Sequence, residues 1–212
     1  MSERRLPPLL ALDVLSRPSI VAALVDGEQR SARGPSEHAL VGLDRLVGGV
    51  LGPVRPGVVG VVVGPGPVLG LRAGVAFTRA LASVHGASCV AIDDAEAFAA
   101  SLPHHEELWV LSPVGRGRTR LAHCVGGRIV AERLVANDAV ELPPGAVAAG
   151  RLRRGVALEL VATEPTAAGL LAATKRGLLA GRLLAPGALA PRYDVDAGVR
   201  LAGSSQRGGQ RA

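Results

Sequence analysis

Continuous apolar runs alternate with segments of helical periodicity along the first half of the chain. Apolar runs of four to eight residues that are bounded by turn signals predict buried strands. The dipeptide Asp26-Gly27 is a hairpin signal, so a more polar strand is expected to return after it. The strands predicted in this half are 9–13, 19–25, 28–32, 58–63 and 88–92.

Three helices are predicted among these strands. The first covers 36–51 and opens at Ser36, a residue type suited to the N-cap. The second covers 67–85, with Pro67 in its first turn, where a missing N–H costs nothing. The third covers 93–98. The order of three antiparallel strands, helix, strand, helix, strand and helix predicts an α/β fold.

The pattern partly repeats after a boundary near Leu102, which predicts a duplicated α/β fold with a cleft between two lobes. A hairpin is expected around Gly126-Gly127, and Thr166 is a suitable N-cap for a late helix. The predicted elements are strands 108–111, 118–124, 128–134, 146–149 and 156–161 and a helix 166–184. The expected domains are an N-terminal lobe 1–102, a C-terminal lobe 103–197 and a disordered tail 198–212.

The composition limits the possible partners. With 48% hydrophobic and 2% aromatic residues among 212, the core must be built from Val, Leu and Ala. The net charge of +6 permits nucleic-acid contact, but the basic residues are scattered and aromatic side chains for base stacking are few. Cys89 and Cys124 sit in apolar runs and are expected to be buried and reduced. We expect a cytoplasmic protein without a membrane span or a secretory signal.

The glycine-rich turn Gly64–Gly74 lies between a predicted buried strand and a predicted helix. Such a turn can present helix N–H groups to an anion, or it can pack a helix tightly on a sheet. No Gly-Lys-Ser/Thr follows, so the turn is not a Walker loop. Packing or interface use is therefore favoured over phosphate binding.

Several of these residues together resemble the TsaB (YeaZ) family. The resemblance rests on Leu9-Leu10-Ala11-Leu12-Asp13, on Val25-Asp26-Gly27, on Ser36-Glu37 opening a helix, and on Gly64-Pro65-Gly66 followed by Gly70-Leu71-Arg72-Ala73-Gly74. The similarity covers 9–102 best. The later Pro191-Arg192-Tyr193 is compatible with it.

The resemblance implies an actin-like, ribonuclease-H-like fold of two lobes. It further implies a catalytically inert scaffold, without cofactor or metal, that binds a TsaD-like transferase in threonylcarbamoyladenosine modification of tRNA next to the anticodon. A TsaE-like ATPase would join the complex, tRNA would be contacted indirectly, and the same surface could form a homodimer.

The chain departs from the family pattern at four places. Asp-Thr-Ser is replaced by Asp13-Val14-Leu15, and the His before Ser36-Glu37 by Pro35. Ser-Phe-Thr within the turn is replaced by Pro67-Val68-Leu69, and the Asp-Ala-Arg of the second lobe by Leu111-Ser112-Pro113. A divergent family member and a paralogue without a tRNA role are both compatible with these changes.

The resemblance places the partner interface on the first two helices. Both are more apolar than a single buried stripe requires, which is consistent with a second buried face or with a plain core. Arg72 could reach a partner carboxylate or remain solvated. The predicted interface residues are Leu40, Leu43, Val47, Val68, Leu71, Arg72, Val75 and Arg79.

Other candidate sites are weaker. Asp13 ends the first strand, where actin-like kinases hold metal-bound phosphate, but Val14 and Leu15 offer no side-chain donor after it. A nucleotide-dependent enzyme of the actin-like class remains the alternative function. The cluster His104-His105-Glu106-Glu107 is expected to be a surface loop rather than a metal site. The segment Arg116-Gly117-Arg118 with Arg120 could touch tRNA phosphate, although a solvated hairpin is favoured.

Overall fold

A computed structural model describes residues 6–34, 42–115, 117–152, 156, 158–193 and 200–201. Five strands form the first sheet in the order β3-β2-β1-β4-β5. Their bounds are β1 Leu9–Asp13, β2 Ile20–Val25, β3 Glu28–Arg33, β4 Val58–Gly64 and β5 Ser88–Asp93. The five strands predicted for this half are confirmed with small changes at their ends.

The central strand β1 pairs antiparallel with β2 and parallel with β4, and its residues are fully buried. Alternating side chains of a strand point to opposite faces of the sheet. Leu10 and Leu12 therefore belong to one core cluster, while Leu9 and Ala11 belong to the other. A strand that is apolar at every position needs helices on both faces, which is what the sheet has.

Four helices cover this sheet. The first two pack on the face of Leu10 and Leu12, and the last two pack on the opposite face. Their bounds are α1 Leu43–Leu51, α2 Val68–His85, α3 Asp94–Ser101 and α4 Ala167–Leu179. None of the helices in the described part of the chain is long and apolar enough to cross a membrane.

The largest differences from the predicted helix ends concern α1 and α4, whereas the ends of α2 and α3 shift by one to three residues. The described part of α1 begins at Leu43, because Gly42 before it has a left-handed φ of 73°. Ser36, the expected N-cap, lies outside the described residues. The last helix does begin after Thr166, whose side chain accepts from the Gly169 N–H at 3.0 Å, but it ends at Leu179. Its predicted extension to 184 is wrong because Gly181, with φ 69°, follows the last turn.

The second sheet has the order β10-β8-β7-β6-β9. It begins with an antiparallel meander, and its first strand pairs parallel with β9, as β1 does with β4. The bounds are β6 Glu107–Gly115, β7 Arg118–Val125, β8 Arg128–Ala136, β9 Ala148–Gly150 and β10 Arg200–Leu201. The repeated arrangement confirms the predicted duplication.

One predicted strand is absent. Among the described residues of the segment 156–161, none forms a strand. The chain there only pairs locally with β9, since the Val161 N–H donates to the Ala148 oxygen at 2.8 Å and the Gly150 N–H donates to the Ala162 oxygen at 2.9 Å.

The helix α3 lies between the two sheets. Its Ala95, Phe98 and Ala99 form a cluster with buried side chains of β6 and β7, while Ala97 and Ala100 belong to the core of the first sheet. The helix α4 comes from the second half of the chain but packs on the first sheet. The predicted domain boundaries stay a prediction.

Candidate functional site

The glycine-rich turn between β4 and α2 is filled by side chains from the end of β1. A Cβ atom on Gly74 would lie 2.4 Å from Val14 Cγ2, and one on Gly66 would lie 2.9 Å from Leu15 Cδ1. Both apolar side chains are buried. We call Val14, Leu15, Gly66, Gly70 and Gly74 the apolar seat of α2.

The apolar seat explains the departures in this region. Val14 and Leu15 stand where the family has hydroxyl residues, and they occupy the space that the glycines leave open. The glycines therefore serve close approach between the strand end and the helix, rather than a cradle for an anion. The packing interpretation of the turn is the one that the structure supports.

The predicted interface residues fall into two groups. Leu43, Val47, Leu71 and Val75 are buried in the cores of this chain. By contrast, Val68, Arg72 and Arg79 are exposed on α2. Leu40 lies outside the described residues. Their role in an interface stays a prediction, and only the exposed group can be contacted without rearranging the core.

The outward side of α2, which we call the α2 face, is poor in polar side chains. Leu69 is 82% exposed and Val84 is 80% exposed. Neither Arg72 nor Arg79 has an ion-pair partner among the residues that the structure describes. The exposed positions of the α2 face are Val68, Leu69, Arg72, Ala76, Arg79, Ala80, Ser83 and Val84.

The helix α1, on the same side of the first sheet, has two glycines on its exposed side. Gly48 and Gly49 are exposed, and a Cβ atom on either would meet nothing within 4 Å. Such glycines cost helix stability, about 0.5–1 kcal/mol each relative to Ala. They lie on the same side of the first sheet as the α2 face.

A second feature, a set of charged side chains, fills the cleft between the two sheets. Asp13 at the end of β1 is fully buried. Its Oδ1 accepts from the Leu15 N–H at 2.8 Å, and its Oδ2 accepts from Arg151 Nη2 at 2.8 Å and from the Ser16 hydroxyl. Binding a phosphate-bound metal at Asp13 would require displacing Arg151, so the residues present do not fit that group.

Arg151, which follows β9, holds a second buried carboxylate. Its Nη1 donates to Asp94 Oδ1, while the Ser112 hydroxyl donates to Asp94 Oδ2 at 2.8 Å. The guanidinium carbon lies 5.3 Å from the centre of the Phe98 ring, within cation–π range. This inner part of the cleft holds two carboxylates for one guanidinium, and the N-terminus of α3 adds partial positive charge beside them.

The environment shifts the pKa values of these groups. Burial raises the pKa of Asp94, and the nearby Asp13 carboxylate adds to this, against the opposing effects of Arg151 and Ser112. Burial lowers the pKa of Arg151, but Asp94 and Asp13 outweigh it and raise the pKa above its usual value. Arg151 is therefore a permanent internal cation of the cleft.

Farther out, two arginines hold two carboxylates. Arg120 is 1% exposed and donates to Asp93 Oδ1 at 2.9 Å and, through Nη2, to Glu132 Oε2 at 2.5 Å. Arg192 donates through Nη2 to both oxygens of Glu132, at 3.0 and 2.9 Å, and through Nη1 to Asp93. Although burial raises the pKa of Glu132, Arg120 and Arg192 lower it below its usual value. We call these four residues, together with Asp13, Asp94 and Arg151, the cleft cluster.

Comparison with known proteins gives two kinds of match. The model of the TsaD family, described as tRNA N6-adenosine threonylcarbamoyltransferase, matches residues 55–143, less than half of the chain. YeaZ from Pseudomonas aeruginosa is 20% identical, with a TM-score of 0.73, and the match covers 87% of this chain and 100% of that one. No curated protein sequence matches the chain significantly.

A further solved structure, of an uncharacterized protein with similarity to peptidase YEAZ from Pseudomonas aeruginosa, is also 20% identical. Its TM-score is 0.74, and the match covers 89% of this chain and 99% of that one. The chain has the YeaZ fold. The TsaB-like resemblance that β1 and the glycine-rich turn predict is confirmed at the level of the fold, and so is the predicted fold class of two lobes with mixed sheets.

Within the YeaZ fold, three sequence-based expectations can be compared with the structure. The expectation that Arg120 lies on a solvated hairpin or touches tRNA is wrong, because its side chain is buried between Asp93 and Glu132. Arg116 lies outside the described residues. His104 and His105 lie in the turn before β6 with ring centres 4.2 Å apart. Across the described residues, no three His, Cys, Asp or Glu side chains are grouped to hold a metal ion.

The cysteines are buried as predicted. Burial, with a further contribution from Asp93, raises the pKa of Cys124 to about 12, and burial also raises that of Cys89. Thiolates are the reactive form of cysteine, so neither residue is suited to nucleophilic chemistry at neutral pH.

The sequence did not identify the cleft cluster of this YeaZ-like chain. Asp93 and Asp94 were expected only as the start of a helix, and Arg151 only as one of several scattered basic residues. The residues are far apart in the chain, so no local spacing connects them. The one available signal was the position of Asp13 and Asp93 at the ends of β1 and β5, two parallel strands that flank β4.

Proposed function

We propose that this protein is a non-catalytic scaffold subunit that binds a TsaD-like threonylcarbamoyltransferase during threonylcarbamoyladenosine modification of tRNA. A TsaE-like ATPase is the further partner of this complex, and tRNA is contacted through the transferase. The single observation that carries the proposal is the α2 face, with Leu69 82% exposed among small and apolar residues. Large exposed apolar side chains grouped on one helix mark an interaction surface.

The cleft cluster supports a role without catalysis. In the alternative function, a nucleotide-dependent enzyme, the cleft would hold phosphate and metal near Asp13. Here Arg151 already bonds that carboxylate and Asp94. Displacing it would leave two buried carboxylates without their cation, which is costly. Calorimetry with ATP and Mg²⁺ tests this alternative, and we expect no binding heat.

The charge and shape of the α2 face suit a protein partner. Arg72 and Arg79 are exposed on the same helix and can pair with carboxylates across an interface. The outer glycines of α1, Gly48 and Gly49, allow another helix to approach closely. Self-pairing through this face is the competing arrangement, and an experiment with the transferase distinguishes the two.

The first test compares two exposed leucines. Leu69 lies on the α2 face, whereas Leu179, 69% exposed, lies at the end of α4. Leu69→Asp should weaken association with a co-expressed TsaD-like transferase by roughly thirtyfold or more, as a charge placed in an interface centre does. Leu179→Asp should leave it unchanged. Both variants should keep the wild-type melting temperature within a few degrees.

The same two variants can be tested in cells. A strain that lacks the gene should lose threonylcarbamoyladenosine from its tRNA, and Leu179→Asp, but not Leu69→Asp, should restore it. The scaffold proposal fails if the wild-type protein does not bind the transferase and the deletion leaves the modified nucleoside unchanged. A wild-type homodimer that Leu69→Asp disrupts, without transferase binding, would instead support the self-pairing paralogue.

A further inference from the structure

The chain segment after α4, residues 184–193, crosses from β5 to the cleft, and we call it the C-terminal strap. It begins at Leu184, which exchanges two backbone hydrogen bonds with Cys89 of β5, at 2.8 and 2.9 Å. A 3₁₀ turn at Pro186–Ala188 then packs against α2. Leu189 is 1% exposed and belongs to the core beneath α1 and α2. The strap is thus fixed to the side of the protein that carries the α2 face.

The strap reaches the glycine-rich turn at Arg192. The Arg192 N–H donates to the Val63 oxygen at 2.8 Å, one residue before the turn. A Cβ atom on Gly64 would lie only 2.7 Å from the Arg192 oxygen, which is too close for a side chain there. Gly64 also has φ 124°, which other residues rarely adopt. The backbone of Arg192 therefore lies directly on the first residue of the turn that leads to Val68 and Leu69.

The side chain of the same residue reaches both parts of the protein across the cleft. Its Nη2 donates to both oxygens of Glu132 on β8, and its Nη1 donates to Asp93, which caps α3. Two nitrogens of one guanidinium thus hold two carboxylates, and such charge-assisted hydrogen bonds are roughly twice as strong as neutral ones. Arg192 is therefore a single residue whose backbone contacts the turn before α2 and whose side chain joins the first sheet to the second.

We propose that Arg192 is a positioning residue that couples the closed cleft to the α2 face, holding Val68 and Leu69 in the orientation that a partner binds. This inference rests on the proposed function, since it takes the α2 face as the binding surface. Loss of the side-chain contacts with Asp93 and Glu132 would loosen the strap, release the turn at Gly64 and weaken partner binding, although no residue of the α2 face is substituted.

A double-mutant cycle tests the coupling. Arg192→Met and Leu69→Ala are measured singly and together for affinity to the TsaD-like transferase. Arg192→Met should weaken binding by roughly threefold to thirtyfold, and the combined loss should be smaller than the product of the two single losses. Residues that act through one another are non-additive, whereas independent sites add. Independent effects that multiply fully would overturn the proposal.

The control is Arg182→Met. Arg182 also pairs with a carboxylate near the start of α3, namely Glu96 at 2.8 Å, but its side chain is exposed and lies outside the strap contacts with the turn. This variant should neither weaken transferase binding nor couple to Leu69. Arg192→Lys, which keeps the charge but has a single nitrogen for Asp93 and Glu132, serves if Arg192→Met does not fold, and the same non-additivity is expected of it.

A second measurement needs no partner. Amide hydrogen exchange in residues 63–71 should become faster in Arg192→Met than in the wild type, while the amides of β6 and β7 keep their protection. If the wild-type protein binds no transferase, the proposed function fails, yet the faster local exchange still supports the coupling within the chain. Unchanged exchange in residues 63–71 would overturn the coupling whatever the partner.

Discussion

Two regions that meet at the end of β1 have opposite chemistry. In the apolar seat, Val14 and Leu15 pack into the space left by glycines. In the cleft cluster, the neighbouring Asp13 accepts hydrogen bonds from backbone N–H groups and from Arg151. Both regions are buried, and both occupy places where the sequence alone left phosphate binding open.

The two regions should differ in how strongly a single substitution destabilises the protein. Apolar contacts are individually weak and can be compensated by a neighbour of complementary size. Buried charges depend on every partner, because a carboxylate or guanidinium that loses its counter-ion keeps its full desolvation cost. We therefore expect the cleft cluster to respond to single substitutions more strongly than the apolar seat.

The largest effect is expected for Arg151→Met. This change replaces the cation that holds Asp13 and Asp94 by an uncharged side chain of similar length. The free energy of unfolding, measured by urea denaturation, should fall by about 3–5 kcal/mol. The matched change Arg182→Met, which breaks an exposed pair with Glu96, should cost at most about 1 kcal/mol. Equal costs for the two variants would contradict the role of Arg151 as the central cation.

An intermediate effect is expected for Glu132→Gln, and it should depend on pH. Glu132 accepts from Arg120 and Arg192, and a hydrogen bond to a charged group contributes about 1.5–3 kcal/mol. The two guanidinium groups lower the pKa of Glu132 from its ordinary 4.5. The stabilisation that the Glu132 carboxylate provides is thus present above pH 4.5 and is lost as the pH falls through the lower pKa of Glu132 in the folded state.

The measurement is urea unfolding of the wild type and of Glu132→Gln between pH 7 and pH 3.5. Their difference in unfolding free energy should shrink toward the acid end, because the wild type alone loses the charge. Arg30→Gln, at an exposed pair with Glu28, should show a small difference at every pH. A difference between wild type and Glu132→Gln that stays constant with pH would contradict the ionic role of Glu132.

The sequence was sufficient for most of the fold. Fully apolar runs such as Val58–Val63 leave few alternatives to a buried strand, and the hairpin signal at Asp26-Gly27 fixes how β2 and β3 connect. The predicted strand at 156–161 failed because the segment is a connection, in which Val161 is exposed. There Leu158 and Leu160 pack on the core without continuing the ladder.

Less of the candidate site could be predicted from the sequence. Leu43, Val47, Leu71 and Val75 fit an apolar interface stripe as well as they fit a core, and only the packing of α1 and α2 on the sheet separates the two. The partners of Asp13 come from Ser16 and from Arg151, which is far away in the chain. Charge pairing over such separations has no periodicity that a sequence pattern could reveal.

The smallest effect is expected in the apolar seat, for Gly74→Ala. The added methyl group would lie 2.4 Å from Val14 Cγ2, and overpacking of this kind costs about 1–3 kcal/mol. Replacing a helical glycine returns about 0.5–1 kcal/mol. The net loss in unfolding free energy, measured by urea denaturation, should therefore be about 2 kcal/mol or less.

Two further variants separate the cost of the steric clash with Val14 from the gain in helix stability on replacing a glycine. Gly49→Ala on α1, where a Cβ atom meets nothing within 4 Å, should stabilise the protein by about 0.5–1 kcal/mol. Val14→Ala combined with Gly74→Ala should cost less than the sum of the two single changes, because the new methyl group occupies the space that the valine vacates. Strict additivity would mean that Val14 and Gly74 do not pack as one unit. The apolar seat would then be no more adaptable than the cleft cluster.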